Sequence, residues 1–461
     1  ISRGRILLPD AGRGLLNRRV KEVAKLIEQV MDAGFNPDKV EYLQSDPDKI
    51  TWAADVEELR ERWRLSLKLE TIDAYLDAAE EGQEGKKAAA SSDKGLIDQK
   101  LWAEALDKVR KKNKRHLSRL LNMERQEHYN RYFEAVANAF DPHTSYMPPT
   151  SKEDFDIHMR GSLEGIGALL REDDGHIKVV NIIPGSPAEA QGQLQAEDII
   201  LAVAEKDGEP VDVSAMTIRE AVSYIRGPKG TEVRLTVARA DGRRLVIPII
   251  RDVVKLEETF VKSAVLEDKD KVKVGYLKIP SFYRDFSGGH DGGRPRNVTD
   301  DTRHELRQLK QKGIAGLILD LRNNGGGSLV DAVDVSGLFL PGGPVVQVKR
   351  SEGRIMVLND EDKEVVYDGP MIVLINQFAA SASEILAAAL QDYGRALIVG
   401  GAHTHGKGTV QALVDLSRNL PRLYQRKYAD LGSLKITIQK FYRVNGSSTQ
   451  YKGIIPDVIL P

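Results

Sequence analysis

The chain has 461 residues, which is enough for about two to four domains that each bury a core. Its 67 basic residues are balanced by 68 acidic ones, which argues against nucleic acid as the main partner and shows no charge asymmetry favouring a membrane surface. Cysteine is absent, which excludes a thiol nucleophile, cysteine-ligated zinc and disulfides. No apolar run reaches the ~18 residues that a membrane-spanning helix requires.

The first part of the chain, residues 1–160, is expected to be mostly helical. Apolar residues at helical spacing predict a helix over residues 15–33, with Gly34 as its stop, and a second helix over residues 56–79. Residues 81–92 have almost nothing to bury and indicate a linker. A charged helical stretch is predicted over residues 98–140, where the basic run at 108–115 is interpreted as a solvated helix face.

Pro142 ends this stretch, because proline disfavours helix at the residue before it. The segment Asp141-Pro-His-Thr144 also offers His143 as a candidate general base.

Residues 161–253 change character to short predicted strands separated by regular turns. The order of these elements, with the turn Gly185-Ser-Pro-Ala188 ahead of Asp198, looks like a PDZ domain. In such domains the position of Gly165, Ile166 and Gly167 presents backbone N–H groups to a peptide carboxylate, while the peptide adds to the sheet edge. A simple turn at these glycines, in another small β domain, is the alternative.

Residues 254–461 alternate between predicted strands and helices, which indicates an α/β domain. A strand over 371–375 leads into the turn Ser381-Ala-Ser-Glu384 and then a helix, so this turn is expected at the ligand-binding edge of the sheet. The same four residues form a capping box, and simple helix capping is a full alternative. Lys407 between two glycines could likewise be an ordinary loop charge, and the glycine loop 324–327 a tight connection or a phosphate cradle.

Three segments together resemble the carboxyl-terminal processing (tail-specific) protease family. They are the S-A-S-E turn at 381–384, the loop Gly406-Lys-Gly-Thr-Val-Gln411 and the loop Asp320-Leu-Arg-Asn-Asn-Gly-Gly-Gly327. The likeness covers residues 141–461 well and the first hundred residues loosely. It implies a multidomain α+β protein with a helical N-terminal region (1–160), a PDZ-like domain (161–253) and a ClpP/crotonase-like α/β serine protease domain (254–461).

The resemblance also implies the roles of the site residues. Ser381 is the expected nucleophile, with Ser383 as the second candidate, and Lys407 is the expected general base. A lysine accepts a proton near neutral pH only if burial or nearby charges disfavour its ammonium form. Gln411 would hydrogen-bond and orient that lysine, and both side chains would share a face if a strand began at Lys407.

The expected oxyanion donors are the backbone N–H of Ala382 and a glycine N–H from the loop, Gly326 or Gly327. Glu384 and Asp392 are expected to be structural. His143 is also taken as structural, because the resembled family carries a near-identical segment away from its catalytic pair. A Ser-His-Asp triad using His403 or His405 is the competing protease mechanism.

The predicted function is an ATP-independent serine endopeptidase for proteins selected by an apolar free C-terminus through the PDZ domain. The alternative is a catalytically silent PDZ scaffold. No metal or cofactor is expected, since no ligand cluster has metal spacing. The resemblance implies an exported, periplasmic protein of the bacterial cell envelope; an adaptor protein, and a membrane anchor in a segment ahead of Ile1, stay open.

Overall fold

A computed structural model describes residues 6–84, 97–173, 175–214, 216–239, 241–286, 295–421, 424 and 430–460. The chain divides into two compact units, Ile1–Phe140 and Asp141–Pro461. Among the described helices, none combines the length and the apolar character needed to cross a bilayer.

The first unit is helical in its described part. Its helices are α1 Leu8–Ala33, α2 Val56–Glu84, α3 Gln99–Asn122 and α4 Arg125–Asn138. Helices α1, α2 and α3 pack around a shared apolar cluster that includes Ile27, Leu67 and Val109, and α4 contacts α1.

Three boundaries in this unit differ from the sequence prediction. Helix α1 begins before residue 15 because Pro9 is suited to its first turn. Helix α2 continues through residues 81–84 of the predicted linker, and the rest of that linker lies outside the described residues. The single stretch over 98–140 is two helices, because Met123 and Glu124 adopt non-helical backbone angles.

The second unit begins with strand β1 Ser145–Met147 and helix α5 Pro149–Arg160. A β domain follows, and its core combines the inward side chains of the alternating strands with apolar residues of its two helices. Its strands are β2 Ser162–Gly165, β3 Ala168–Asp173, β4 His176–Ile182, β5 Ile199–Glu205, β6 Val211–Asp212, β7 Glu232–Ala238, β8 Arg244–Ile250 and β9 Asp252–Lys255, with helices α6 Pro187–Gln191 and α7 Ile218–Ile225. The sheet order is β3-β4-β5-β7-β8, so β3 is an edge strand, and β2 pairs separately with β9.

The remaining chain builds two sheets that share one core. Its elements are β10 Lys262–Glu267, β11 Lys273–Lys278, α8 Val298–Gln311, β12 Gly316–Asp320, α9 Leu329–Gly337, β13 Gly343–Arg350, β14 Ile355–Asp360, β15 Met371–Ile375, α10 Ala382–Asp392, β16 Leu397–Gly400, β17 Thr409–Asp415, β18 Ser433–Tyr442 and β19 Val458–Ile459. The first sheet has the order β10-β11-β12-β15-β16-β19 and is parallel from β11 onwards. Helices α8, α9 and α10 pack their apolar faces into the core cluster.

The second sheet is antiparallel and includes strands that the sequence patterns did not predict, β13 and β14. Strand β18 is its centre, pairing with β17 on one side and with β1 and β13 on the other. The chain turns at Asn445-Gly446, where the Arg443 N–H donates to the Ser447 carbonyl at 2.8 Å and the Gly446 N–H donates to the Arg443 carbonyl at 2.9 Å. Residues 447–457 form no strand, and the chain continues to β19, which pairs with β16 of the first sheet.

Candidate active site

The turn between β15 and α10 holds Ser381 in an unusual backbone conformation. Its φ of 56° and ψ of −111° lie where residues other than glycine rarely occur. Such conformations cost about 1–3 kcal/mol and persist only when the surrounding structure enforces them, often at functional sites. Ser381 and Glu384 form the capping box that the sequence predicted at the start of α10: the Ser381 side chain faces the Glu384 N–H, and the Glu384 carboxylate accepts the Ser381 N–H. A hydroxyl that accepts an N–H keeps its own proton, so this capping role leaves Ser381 Oγ able to donate.

Ser383, the second nucleophile candidate, has a different environment. Its side chain is fully buried, and Oγ donates to the backbone carbonyl of Asn324 at 2.9 Å. The same carbonyl accepts the N–H of Ala380 at 3.0 Å. Ser383 therefore joins the turn to the glycine loop and does not face a space where a substrate could bind.

Glu384 connects the turn to the loop that carries Lys407. Its carboxylate is fully buried and accepts four hydrogen bonds. Oε2 accepts the N–H of Ser381 at 2.7 Å and the N–H of Lys407 at 3.0 Å, while Oε1 accepts Thr404 Oγ1 at 2.6 Å and the Gly406 N–H at 2.7 Å. Because the backbone nitrogens of Ser381 and Lys407 both bind the same oxygen, Oε2, the two residues lie next to each other. From the sequence we predicted only a structural role for Glu384, capping or positioning the helix. Nothing in the sequence indicated that its carboxylate also binds the loop that carries Lys407.

Lys407 lies half-buried beside this clamp. Burial lowers the pKa of its ammonium group, and the positive charge of Lys435 lowers it further, while Glu384 acts in the opposite direction. Within the described part of the chain, Lys407 Nζ has no ion pair and no hydrogen bond. It therefore bonds neither Ser381 Oγ nor the Gln411 side chain in this structure. The sequence neighbours of Lys407 carry no carboxylate, but Glu384 approaches it from a different element.

Gln411 does not follow the strand geometry that the sequence suggested. Strand β17 begins at Thr409, and a bulge between Val410 and Gln411 breaks the alternation, so the even spacing from Lys407 does not fix a common face. The Gln411 amide nitrogen donates to Thr409 Oγ1 at 2.8 Å and to Thr437 Oγ1 at 3.3 Å.

The glycine loop lies directly against the serine turn. A Cβ placed on Gly326 would be 2.9 Å from Ser381 Cβ and 3.1 Å from the Ala382 nitrogen. Gly326 donates its N–H to Asn324 Oδ1 at 2.9 Å. The N–H groups of Gly327 and Ala382 have no hydrogen-bond acceptor within the described residues, so of the three predicted oxyanion donors these two have free N–H groups.

Three histidines lie near this site in sequence or in space. His405 is exposed, with its backbone N–H bound to the Ala379 carbonyl, and His403 Nδ1 lies 2.6 Å from the Thr404 carbonyl. No carboxylate among the described residues hydrogen-bonds either imidazole, which leaves a Ser-His-Asp triad without its third member. Burial and the positive charge of Lys407 lower the pKa of His143. The Asp141–Thr144 segment therefore lies close to Lys407, whereas we had expected it to lie away from the catalytic pair.

The predicted peptide-binding residues belong to the β domain. Gly165 ends strand β2, Ile166 is buried in the core, and Gly167 has a φ of 78°. A Cβ on Gly167 would lie 2.2 Å from Ser186 Cβ, so glycine is required at this position. Ala168 and Leu170 of the edge strand β3 and Ile218 of α7 are partly buried apolar residues on the same core.

Two further observations complete the description of the site. Asp392, at the end of α10, accepts hydrogen bonds from Arg443 and Asn445, so it anchors the helix to the end of β18. Among the described residues, no three histidine or acidic side chains come together as a metal site would require.

Comparison with known families covers most of the chain. Residues 273–460 match Peptidase family S41, residues 1–150 match the Tail specific protease N-terminal domain, and residues 154–238 match the PDZ domain. These matches confirm the predicted fold class, with a helical N-terminal region, a PDZ domain and an α/β protease domain. The ranges that we predicted for the three domains stay a prediction.

Curated relatives are bacterial proteases. The chain is 40% identical over 366 residues to the tail-specific protease of Haemophilus influenzae, covering 79% of this chain and 50% of that protein. It is 35% identical to the carboxy-terminal processing protease CtpA of Bacillus subtilis, covering 69% of this chain and 60% of that protein. It is 33% identical to the carboxyl-terminal-processing protease of Picosynechococcus sp., covering 73% of this chain and 74% of that protein. The chain thus spans half the length of the first of these relatives.

Proposed function

Because this chain belongs to peptidase family S41, among the tail-specific and carboxyl-terminal-processing proteases, we propose that it is a serine endopeptidase with Ser381 as nucleophile and Lys407 as general base. The observation that carries the proposal is the Glu384 carboxylate, which binds the backbone N–H groups of both residues. One buried group thereby holds the predicted nucleophile and the predicted base next to each other. No observation favours a silent scaffold.

The chemistry follows from these positions. Uncharged Lys407 Nζ removes the proton of Ser381 Oγ as Oγ bonds to the scissile carbonyl carbon. The N–H groups of Ala382 and Gly327 stabilise the negative oxygen of the tetrahedral intermediate, since neither has another acceptor among the residues that the structure describes. The protonated Lys407 then gives its proton to the leaving amine as the C–N bond breaks. Water, activated by the same amine, hydrolyses the acyl-enzyme and restores Ser381.

Lys407 can act as a base because its surroundings disfavour the ammonium form. Burial and the charge of Lys435 both lower its pKa. The N–H of Lys407 is held by Glu384, so the start of its side chain is fixed while Nζ stays without a partner in the described structure.

Selection of substrates by an apolar free C-terminus is assigned to the PDZ domain. The edge of strand β3 has no neighbouring strand within the described residues, so an extended peptide can pair with it. Ile166 and Gly167 would present their N–H groups to the terminal carboxylate, and Ala168, Leu170 and Ile218 offer apolar contact. We place the protein in the bacterial periplasm on the basis of its relatives, which cell fractionation would test.

The test uses an unfolded protein substrate made in two forms, which end either in three apolar or in three acidic residues. The native protein should cleave the apolar form at least about 10-fold faster in kcat/KM, because acidic side chains would lose the apolar contacts. Ser381→Ala and Lys407→Ala should each leave less than about a thousandth of the activity, since each removes a group that acts in the reaction.

Ser383→Ala is the matched control for Ser381→Ala, because it removes the same atom two residues away. It should retain cleavage at a reduced thermal stability, since it deletes a buried hydrogen bond. Full activity of the Ser381 or Lys407 variant would contradict the dyad. Equal cleavage of both substrate forms would contradict the tail selection but leave the dyad standing.

A further inference from the structure

In the Asp141–Thr144 turn, both oxygens of the Asp141 carboxylate accept hydrogen bonds. Asp141 Oδ1 accepts the N–H of His143 at 2.8 Å, the N–H of Thr144 at 3.1 Å and the hydroxyl of Thr437 at 3.0 Å. Oδ2 accepts the hydroxyl of Thr144. Burial alone would raise the pKa of Asp141, but these hydrogen bonds outweigh it and hold the pKa below its usual value. Asp141 is therefore ionised at neutral pH and can only accept hydrogen bonds.

This ionised acceptor determines the direction of the next hydrogen bond. The Thr437 hydroxyl has one proton, and that proton is used for Asp141. Thr437 Oγ1 can then only accept from Gln411, so the amide nitrogen Nε2, and not the amide oxygen, must face it. Nε2 also donates to Thr409 Oγ1, which fixes the amide at a second point. The orientation of the Gln411 amide is thus set by the chemistry of its partners, independently of how its oxygen and nitrogen are assigned.

The turn is held at this place by the antiparallel sheet. Strand β1 pairs with β18 from Ser145 opposite Lys435. The N–H of Thr437 donates to Thr144 Oγ1 at 3.3 Å, so the two segments are linked in both directions. Gln411 lies opposite Thr437 in the register because of the bulge in β17.

We propose that Asp141 and Thr437 are positioning residues of the protease site, which turn the Gln411 amide oxygen towards Lys407. This inference rests on the proposed Ser381–Lys407 dyad. With Nε2 bound to two hydroxyls, Oε1 has no acceptor role elsewhere among the described residues and is available to an N–H of Lys407 Nζ. Accepting that N–H would direct the lone pair of the uncharged amine towards Ser381 Oγ, where it is needed to remove the proton.

The test is a double-mutant cycle on a cleavable substrate. Thr437→Val removes the hydroxyl but keeps the size and β propensity of the side chain, so kcat should fall about 10-fold or more with little change in KM. Thr437→Ser keeps the hydroxyl and should stay within about 3-fold of the native kcat. In a Gln411→Ala background, Thr437→Val should cause almost no additional loss, because it acts through Gln411.

Two results would overturn the proposal. One is that Thr437→Val lowers kcat by the same factor in the native and the Gln411→Ala backgrounds, which would show that Thr437 does not act through Gln411. Urea unfolding of each variant shows whether a lower kcat comes from lower stability. The other is full activity of Gln411→Ala. If Ser381→Ala and Lys407→Ala are inactive in that case, the dyad stands and only the positioning chain fails.

Discussion

Ser381 and Ser383 carry the same hydroxyl in one turn, and their surroundings separate their roles. Ser383 is buried and donates to Asn324, whereas Ser381 is half-buried and has a strained φ of 56°. Glu384, the next residue, accepts the N–H of Ser381 and two N–H groups of the neighbouring loop. A single side chain thus fixes both the strained serine and the lysine loop.

Glu384→Gln should therefore abolish cleavage and destabilise the protein by about 3 kcal/mol. Glutamine offers one oxygen where glutamate offers two, and its NH₂ group would meet donors that now have an acceptor. Peptidase activity and urea unfolding measure the two effects.

The exposed Glu258 supplies a matched control, since Glu258→Gln changes the same atoms on the surface. It should leave both measurements unchanged. A Glu384→Gln protein with native activity would show that the four hydrogen bonds are not needed to hold the site.

At the scale of elements, the loop between β12 and α9 is shaped by its close approach to two other segments. Gly326 lies against Ser381, and Gly327 is adjacent to Phe282, whose carbonyl would be 2.2 Å from a Cβ at that position. Phe282 in turn donates its N–H to the Gly326 carbonyl at 2.9 Å. Glycine is needed here because both the contact and a φ of 144° exclude a side chain.

Gly327→Ala should lower stability by about 2 kcal/mol and reduce kcat, because the loop must move away from Phe282 and carry a proposed oxyanion donor with it. Gly325→Ala tests the same loop two residues earlier, where an added Cβ meets nothing within 4 Å. It should be close to neutral in thermal unfolding and in kcat. Equal behaviour of the two variants would contradict the assigned packing.

At the scale of the whole molecule, the environment of Lys407 is assembled from several elements. Lys435 on β18 brings a positive charge and Glu384 on α10 brings the opposing carboxylate. His143, ahead of β1, lies close enough for the charge of Lys407 to lower its own pKa. Asp141 lies in the same network as His143. Burial remains the largest cause of the lowered pKa of Lys407.

This environment predicts the pH dependence of cleavage. The base works only when uncharged, so kcat/KM should rise with pH through the lowered pKa of Lys407 and level off above it. Lys435→Met removes a positive charge that lowers this pKa, so the midpoint of the rise should move to higher pH, by about 0.5 unit.

Lys435→Arg keeps the charge and should keep the native midpoint. The three pH profiles are compared on one substrate. A midpoint that is the same in the Lys435→Met protein would show that burial alone sets the pKa of Lys407.

Much of this protein follows from the sequence by itself. The local spacing of apolar residues and the turn residues predict the order of helical, PDZ and α/β segments. The motifs at 320–327, 381–384 and 406–411 identify the family, which the comparisons confirm. The tertiary structure alone decided which of two serines is buried, and that Glu384 reaches the lysine loop. It also brought Asp141 to Thr437, 296 positions away. Spacing along a chain reports which residues share a helix or strand face, whereas contacts between distant segments depend on how whole sheets pair and pack.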